Sequence, residues 1–119
     1  MQEFAPFCGL RYNPEKILNL SEVVSVPYDQ IGPELQETCH SRHPNHYVRL
    51  ILGKTSPLDF TFSNAHTRAR DLLRSWRAEG ILIQDRIPSF YLYEQDFPLP
   101  QGGKLVRKGI IGRLKLHPP

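Results

Sequence analysis

Four groups of residues in this chain have the types and spacing to do chemistry. The first is the turn Pro27-Tyr28-Asp29-Gln30, where a carboxylate directly follows a short β-branched run. Loops at strand ends hold functional groups on a rigid base, which makes Asp29 the candidate catalytic residue. A structural reading stands beside it, since Asp in a turn commonly bonds its own backbone. Arg49 is the natural companion. A single Arg within the apolar run His46 to Leu52 needs a partner, either a buried carboxylate such as Asp29 or an anionic ligand.

The second group is Arg107, Arg113 and Lys115 near the C-terminal end. Arg107 and Arg113 are, with Arg49, the candidate phosphate ligands, because guanidinium groups clamp phosphate oxygens in pairs. Their other reading is structural: Glu94 and Asp96 share one face of the preceding strand, and opposite charges across a hairpin stabilise it by roughly 0.2 to 1 kcal/mol per pair. The third group is Arg70, Arg74 and Arg77, spaced i, i+4 and i+7 on one helix face. Such a stripe either grips a phosphate backbone or is the solvated face of a covering helix, and Asp71 and Glu79 partly neutralise it. No base-stacking aromatics interleave with it, which favours the solvated face.

The fourth group is Cys39, His40, His43 and His46. Thiolate and imidazole are the usual zinc ligands, but Pro44 breaks any helix between His43 and His46, and the spacing matches no zinc pattern. The expectation is no metal site and helix-terminal or solvated histidines. Neither a phosphate-binding Gly-Lys-Ser/Thr loop, nor a zinc-protease helix, nor a nucleophile elbow occurs in the sequence.

These groups need elements to position them. Glu22 to Val26 reads as a strand stopped by Pro27. Pro33 suits a first helical position, Glu34 to Arg42 a short helix, and His46 to Leu52 a strand closed by Gly53. The clearest helix spans about residues 64 to 79. Ser63 or Asn64 caps it, Gly80 ends it, and Ala65, Ala69, Leu72, Leu73 and Trp76 form one apolar face. Ile81 to Ile83 reads as a brief strand. Phe90 to Phe97 and Leu105 to Leu116 form an antiparallel hairpin across a loop containing Gly102-Gly103. Along the last strand Arg107, Ile111, Arg113 and Lys115 share one parity, whereas Ile110, Leu114 and Leu116 share the other. The fold class is therefore α+β, a mixed and mainly antiparallel sheet with one main covering helix and a C-terminal β-hairpin.

Composition bounds the rest. With 119 residues the chain has room for one small domain over 1–119, and 39% apolar with 23% charged residues fits a globular chain. Eleven prolines, about 9% against a usual ~5%, make it loop-rich. No apolar run approaches the ~20 residues of a membrane span, and Met1 to Phe7 lacks a secretory signal, so a cytoplasmic protein without membrane attachment is expected. Cys8 and Cys39 would there stay reduced. The net charge of +3 is unevenly spread. Residues 1–96 carry ten Lys and Arg against twelve Asp and Glu, a net of −2, whereas residues 97–119 carry five Lys and Arg and no acid.

Taken together, several strings are more specific than any alone. Pro6-Phe7-Cys8-Gly9-Leu10-Arg11-Tyr12, Pro27-Tyr28-Asp29, Pro44-Asn45-His46-Tyr47-Val48-Arg49-Leu50, Leu73 to Leu82 (LRSWRAEGIL), Tyr91-Leu92-Tyr93-Glu94-Gln95 and Arg107-Lys108-Gly109-Ile110-Ile111 occur in this order. The chain thereby resembles the uncharacterised bacterial and archaeal family catalogued as domain of unknown function 1015. The resemblance covers essentially the whole chain but only the N-terminal portion of longer, cytosolic family members. It implies a fragment whose first partner is the missing C-terminal half of the same protein. More distantly the chain is similar to the ParB and sulfiredoxin-like superfamily, some of whose members phosphorylate free serine while others bind DNA and nucleotide. That similarity implies a nucleotide cofactor and a phosphotransferase-like role, with Asp29 as the polar residue after the strand and Arg49 or Arg107 as a phosphate ligand. A ParB-like nucleic-acid module and a non-catalytic scaffold for the missing half are the alternatives.

Overall fold

A computed structural model describes residues 3–118. The fold is α+β and falls into two compact units, one of Arg11–Ile83 and one of Met1–Leu10 with Gln84–Pro119. In chain order the elements are β1 (Phe4–Ala5), β2 (Leu10–Tyr12), α1 (Pro33–Arg42), α2 (Val48–Ile51), α3 (Ala65–Ala78), β3 (Leu82–Gln84), β4 (Tyr91–Pro98), β5 (Lys104–Ile111) and β6 (Arg113–Leu114). The strands form three two-stranded pairings, β1 with β6, β2 with β3 and β4 with β5.

The Arg11–Ile83 unit is organised by α3. Asn64 accepts from the amides of His66 and Thr67 at 2.9 and 3.2 Å, and Thr67 Oγ1 accepts from the Asn64 amide at 2.8 Å, so both sides of a capping box are present. Gly80, at φ 76°, follows the helix end as its sequence position predicts. The predicted apolar face turns inward: Trp76 is 2% exposed, and Ala65, Ala69, Leu72 and Leu73 are half-buried. Around it lie Ile17, Val23, Cys39, Val48 and Leu82. Tyr12 packs its ring 6.3 Å from that of Trp76 and donates its hydroxyl to the Asn45 carbonyl at 2.6 Å. Burial and the nearby Tyr47 raise the phenol's pKa, keeping it a donor.

Two predicted strands in this unit are not strands. Residues 22–26 follow a single 3-10 turn, Leu20–Glu22, capped by Asn19. Val23 alone of the β-branched residues there is buried, and its carbonyl receives the Tyr47 amide at 2.8 Å rather than a ladder partner. Within the run 46–52, Val48–Ile51 form the short helix α2. His46, one residue before the N-cap Tyr47, accepts at Nδ1 from the Val48 amide at 3.0 Å, a side-chain bond that composition did not anticipate. Strand propensity measures fit to a half-buried pleated surface, and neither run has one beside it.

In the other unit β4 and β5 form the predicted antiparallel hairpin, with Tyr91 opposite Ile111 and Pro98 opposite Lys104. The ring of Tyr93 lies across Gly109 so closely that a Cβ there would fall 2.2 Å from it. The long final strand is divided. At Gly112, where a Cβ would come 2.6 Å from the Phe4 ring, the chain leaves β4 and continues as β6 against β1, Phe4 opposite Leu114 and Ala5 opposite Arg113. The expected parity of residues 105–116 therefore holds only within β5. Gly9 donates its amide to the Tyr91 hydroxyl at 2.7 Å, and that hydroxyl donates to the Asp85 carboxylate. Cys8 and Cys39 are free thiols. Among the described residues no helix is long and apolar enough to cross a membrane.

Candidate anion-binding pocket

Within the Arg11–Ile83 unit, α1, α2 and the first turns of α3 enclose a pocket of about 210 Å³. Its lining is His40, Arg49, Gly53, Lys54, Ala65, Arg68 and Leu72. Each basic side chain arrives from a different stretch of chain. His40 stands in the last turn of α1, Arg49 on α2, Lys54 in the segment after it and Arg68 on α3. Gln36 Nε2 donates to the Leu52 carbonyl at 2.9 Å and ties α1 to the end of α2.

The cations differ in how they are compensated. Lys54 pairs with Glu37 of α1. Arg68 forms a two-toothed pair with Asp59, at 2.8 and 3.2 Å, and donates also to the Lys54 carbonyl at 2.8 Å. Both carboxylates are held below their usual pKa, Glu37 by Lys54 and Ser41, and Asp59 by Arg68 and the Ser56 amide. Arg49 has no carboxylate partner among the described residues. Its Nη2 donates to the His40 carbonyl at 2.6 Å, and its Nε is shielded from solvent without a hydrogen bond. A guanidinium with a buried, unused donor is costly unless an acceptor arrives.

The His40 imidazole has no hydrogen-bond partner among the described residues. Desolvation, then Arg49 and Lys54, lower its pKa, with Glu37 opposing, so the ring is neutral at neutral pH. The pocket thus combines one uncompensated guanidinium, two compensated cations and a neutral imidazole, a set suited to holding an oxyanion.

The other predicted residues lie elsewhere. Asp29 sits exposed on the 3-10 turn Tyr28–Gln30, does not line the pocket, and makes no ion pair with Arg49 among the described residues. Arg107 lies opposite Gln95 in the hairpin, 5.3 Å above the Phe97 ring, and Arg113 lies opposite Ala5 in β6. Glu94 and Asp96 do pair across the hairpin, but with Lys108 and Lys104 at 3.7 and 3.2 Å. Strand parity puts those two lysines, and not Arg107, on the acidic face. On α3, Arg70, Arg74 and Arg77 are exposed, and Arg70 contacts its neighbour Asp71 at 3.1 Å.

Cys39 and the three histidines do not converge. Cys39 and His46 are buried, His43 Nδ1 accepts from the Asn45 amide at 2.9 Å, and His46 Nδ1 accepts from the Val48 amide. Among the described residues no three His, Cys, Asp or Glu side chains are grouped to hold a metal ion. Sequence reasoning missed Lys54 and Arg68. The signal for Arg68 was its position, three residues after Ala65 and four before Leu72, on the margin of the apolar face and not in the exposed stripe.

Fold and pocket together define a small α+β protein whose helical unit carries a pocket lined by basic side chains. By sequence the chain belongs to the family described as Protein of unknown function (DUF1015), which matches residues 4–119. No curated protein and no solved structure matches it.

Proposed function

We propose that the helical unit binds a phosphate-bearing small molecule, with Arg49 as its principal ligand and Lys54 and Arg68 supplying the surrounding positive field. The uncompensated Arg49 guanidinium, its Nε buried without a partner in a pocket lined by further basic groups, carries this reading. The pocket is smaller than the roughly 300 to 1,000 Å³ that encloses a whole drug-sized ligand, so it takes the phosphoryl end and leaves the remainder outside. A nucleotide fits that description, which keeps a phosphotransferase-like role as the finer form of the reading, with electrostatic stabilisation of transferring phosphate as the contribution of these cations.

Isothermal titration of the chain with inorganic phosphate, pyrophosphate, ADP and ATP tests it. Binding of at least one, weakened about tenfold or more in Arg49→Gln, is the expected result. No binding to any of the four removes the reading. The ParB-like alternative rests on the exposed arginines of α3, and predicts instead a complex with DNA whose affinity drops steeply as salt rises and which Arg49→Gln leaves unchanged.

A further inference from the structure

Arg68 reaches the pocket from the first turn of α3, and its side chain is ordered by its neighbours in the chain. Nη1 and Nη2 donate to the two oxygens of Asp59 at 2.8 and 3.2 Å, and Nη2 donates also to the Lys54 carbonyl at 2.8 Å. A guanidinium has five N–H groups, so two stay without a partner among the described residues and can meet an anion. Asp59 is fixed in turn by its own segment. Its Oδ2 accepts from the Ser56 amide at 2.9 Å, its amide donates to the Ser56 carbonyl at 3.0 Å, and the Leu58 amide donates to Ser56 Oγ at 3.2 Å. The carboxylate therefore stands on a closed turn.

We infer that Asp59 is a positioning residue for the anion pocket. It holds the Arg68 guanidinium at the pocket wall and, through the Arg68 bond to the Lys54 carbonyl, fastens the backbone that carries Lys54. This rests on the phosphate reading above and adds the residue that orders two of its three cations. Asp59 does not line the pocket, so it acts through Arg68 and not on the ligand. An ion pair as exposed as this one adds little to stability. Its effect is to have a long side chain already ordered when the ligand arrives.

The two influences of Asp59 on an anion have opposite sign. As a negative charge near the pocket it repels the ligand, so neutralising it would strengthen binding. As the group that orders Arg68 it aids the ligand, so neutralising it would weaken binding. The second influence prevails, because the carboxylate meets the guanidinium with both oxygens and is itself tied to Ser56, whereas solvent and salt screen the repulsion at so open a site.

Titration calorimetry of the full chain with inorganic phosphate and pyrophosphate tests the assignment. The expected result is that Asp59→Asn weakens binding about three- to tenfold although it removes a negative charge. Arg68→Lys should weaken it by a similar factor although it keeps the positive charge, since an ammonium lacks the planar fork. In the double variant the losses should not multiply, because both substitutions break one clasp. Binding by Asp59→Asn that equals or exceeds that of the unmodified chain overturns the positioning role and leaves the anion reading intact, and so does a double variant whose losses multiply in full. No binding of either anion by the unmodified chain overturns both. Where Asp59→Asn fails to fold, Arg68→Lys decides: affinity equal to the unmodified chain's overturns the role.

Discussion

The two units of this chain are stabilised in different ways. Among the described residues every buried apolar side chain, from Ile17 to Leu82, belongs to Arg11–Ile83. Among the described residues the unit built on β4 and β5 has none, and residues on both faces of its hairpin are exposed, Leu92 at 83% and Leu105 at 58%. It is joined by ladder bonds, by the Gly9–Tyr91–Asp85 chain and by aromatic contacts such as Phe4 stacked on Phe90 at 5.4 Å. The contrast separates two tasks. A core fixes backbone well enough to hold Arg49 in a costly position, whereas ladder bonds fix register but supply little free energy to spend on strain.

Substitutions can break that contrast. Trp76→Ala should cost about 3 to 5 kcal/mol and unfold the helical unit at much lower denaturant, read from helical circular dichroism in urea. Leu92→Ala, by comparison, should stay within about 0.5 kcal/mol, and a loss near that of Trp76→Ala would show that the hairpin has its own core. Gly109→Ala forces the Tyr93 ring off the strand and should cost about 1 to 3 kcal/mol. Amide hydrogen exchange should locate that loss in β4 and β5, with the amides of α3 as protected as before.

A smaller effect sharpens the link between core and pocket. Arg49→Met should leave stability within about 1 kcal/mol or raise it, because it removes a shielded charge without a carboxylate partner, while phosphate affinity is lost. A large destabilisation would instead make Arg49 a structural strut. The smallest effect concerns acid. Asp59 is held below the ordinary aspartate value of 3.8 by Arg68, so its contribution is present above that value and disappears as pH falls through the lower, folded one. Thermal melts below about pH 4 should show a steeper loss in the unmodified chain than in Asp59→Asn, which lacks the titrating group.

What could be read from sequence was what short-range chemistry decides. Asn64 and Gly80 bound α3 from within a few residues, and Gly102-Gly103 sits where the hairpin turns. The runs at 22–26 and 46–52 misled because β-branched content says nothing about whether a partner strand exists. Val23 and Val48 are buried there, yet as single residues against the core and not as alternating faces. Arg49 was legible as a charge among apolar neighbours. The pocket was not, since it arises only when α1, α2 and α3 bring His40, Lys54 and Arg68 around it. The division at Gly112 was likewise invisible, because a strand's change of partner depends on where the Phe4 ring lies.

That division has a kinetic meaning. Phe4 finds Leu114 and Ala5 finds Arg113 only after the intervening chain has been made, so β1 leaves the ribosome well before the strand it pairs with. Closing so long a loop delays the pairing behind the local hairpin and behind α3. A two-residue ladder at the end of that loop should open more readily than the eight-residue hairpin, and exchange at Phe4 and Ala5 should report the assembly of this unit more sensitively than any amide in β4 or β5.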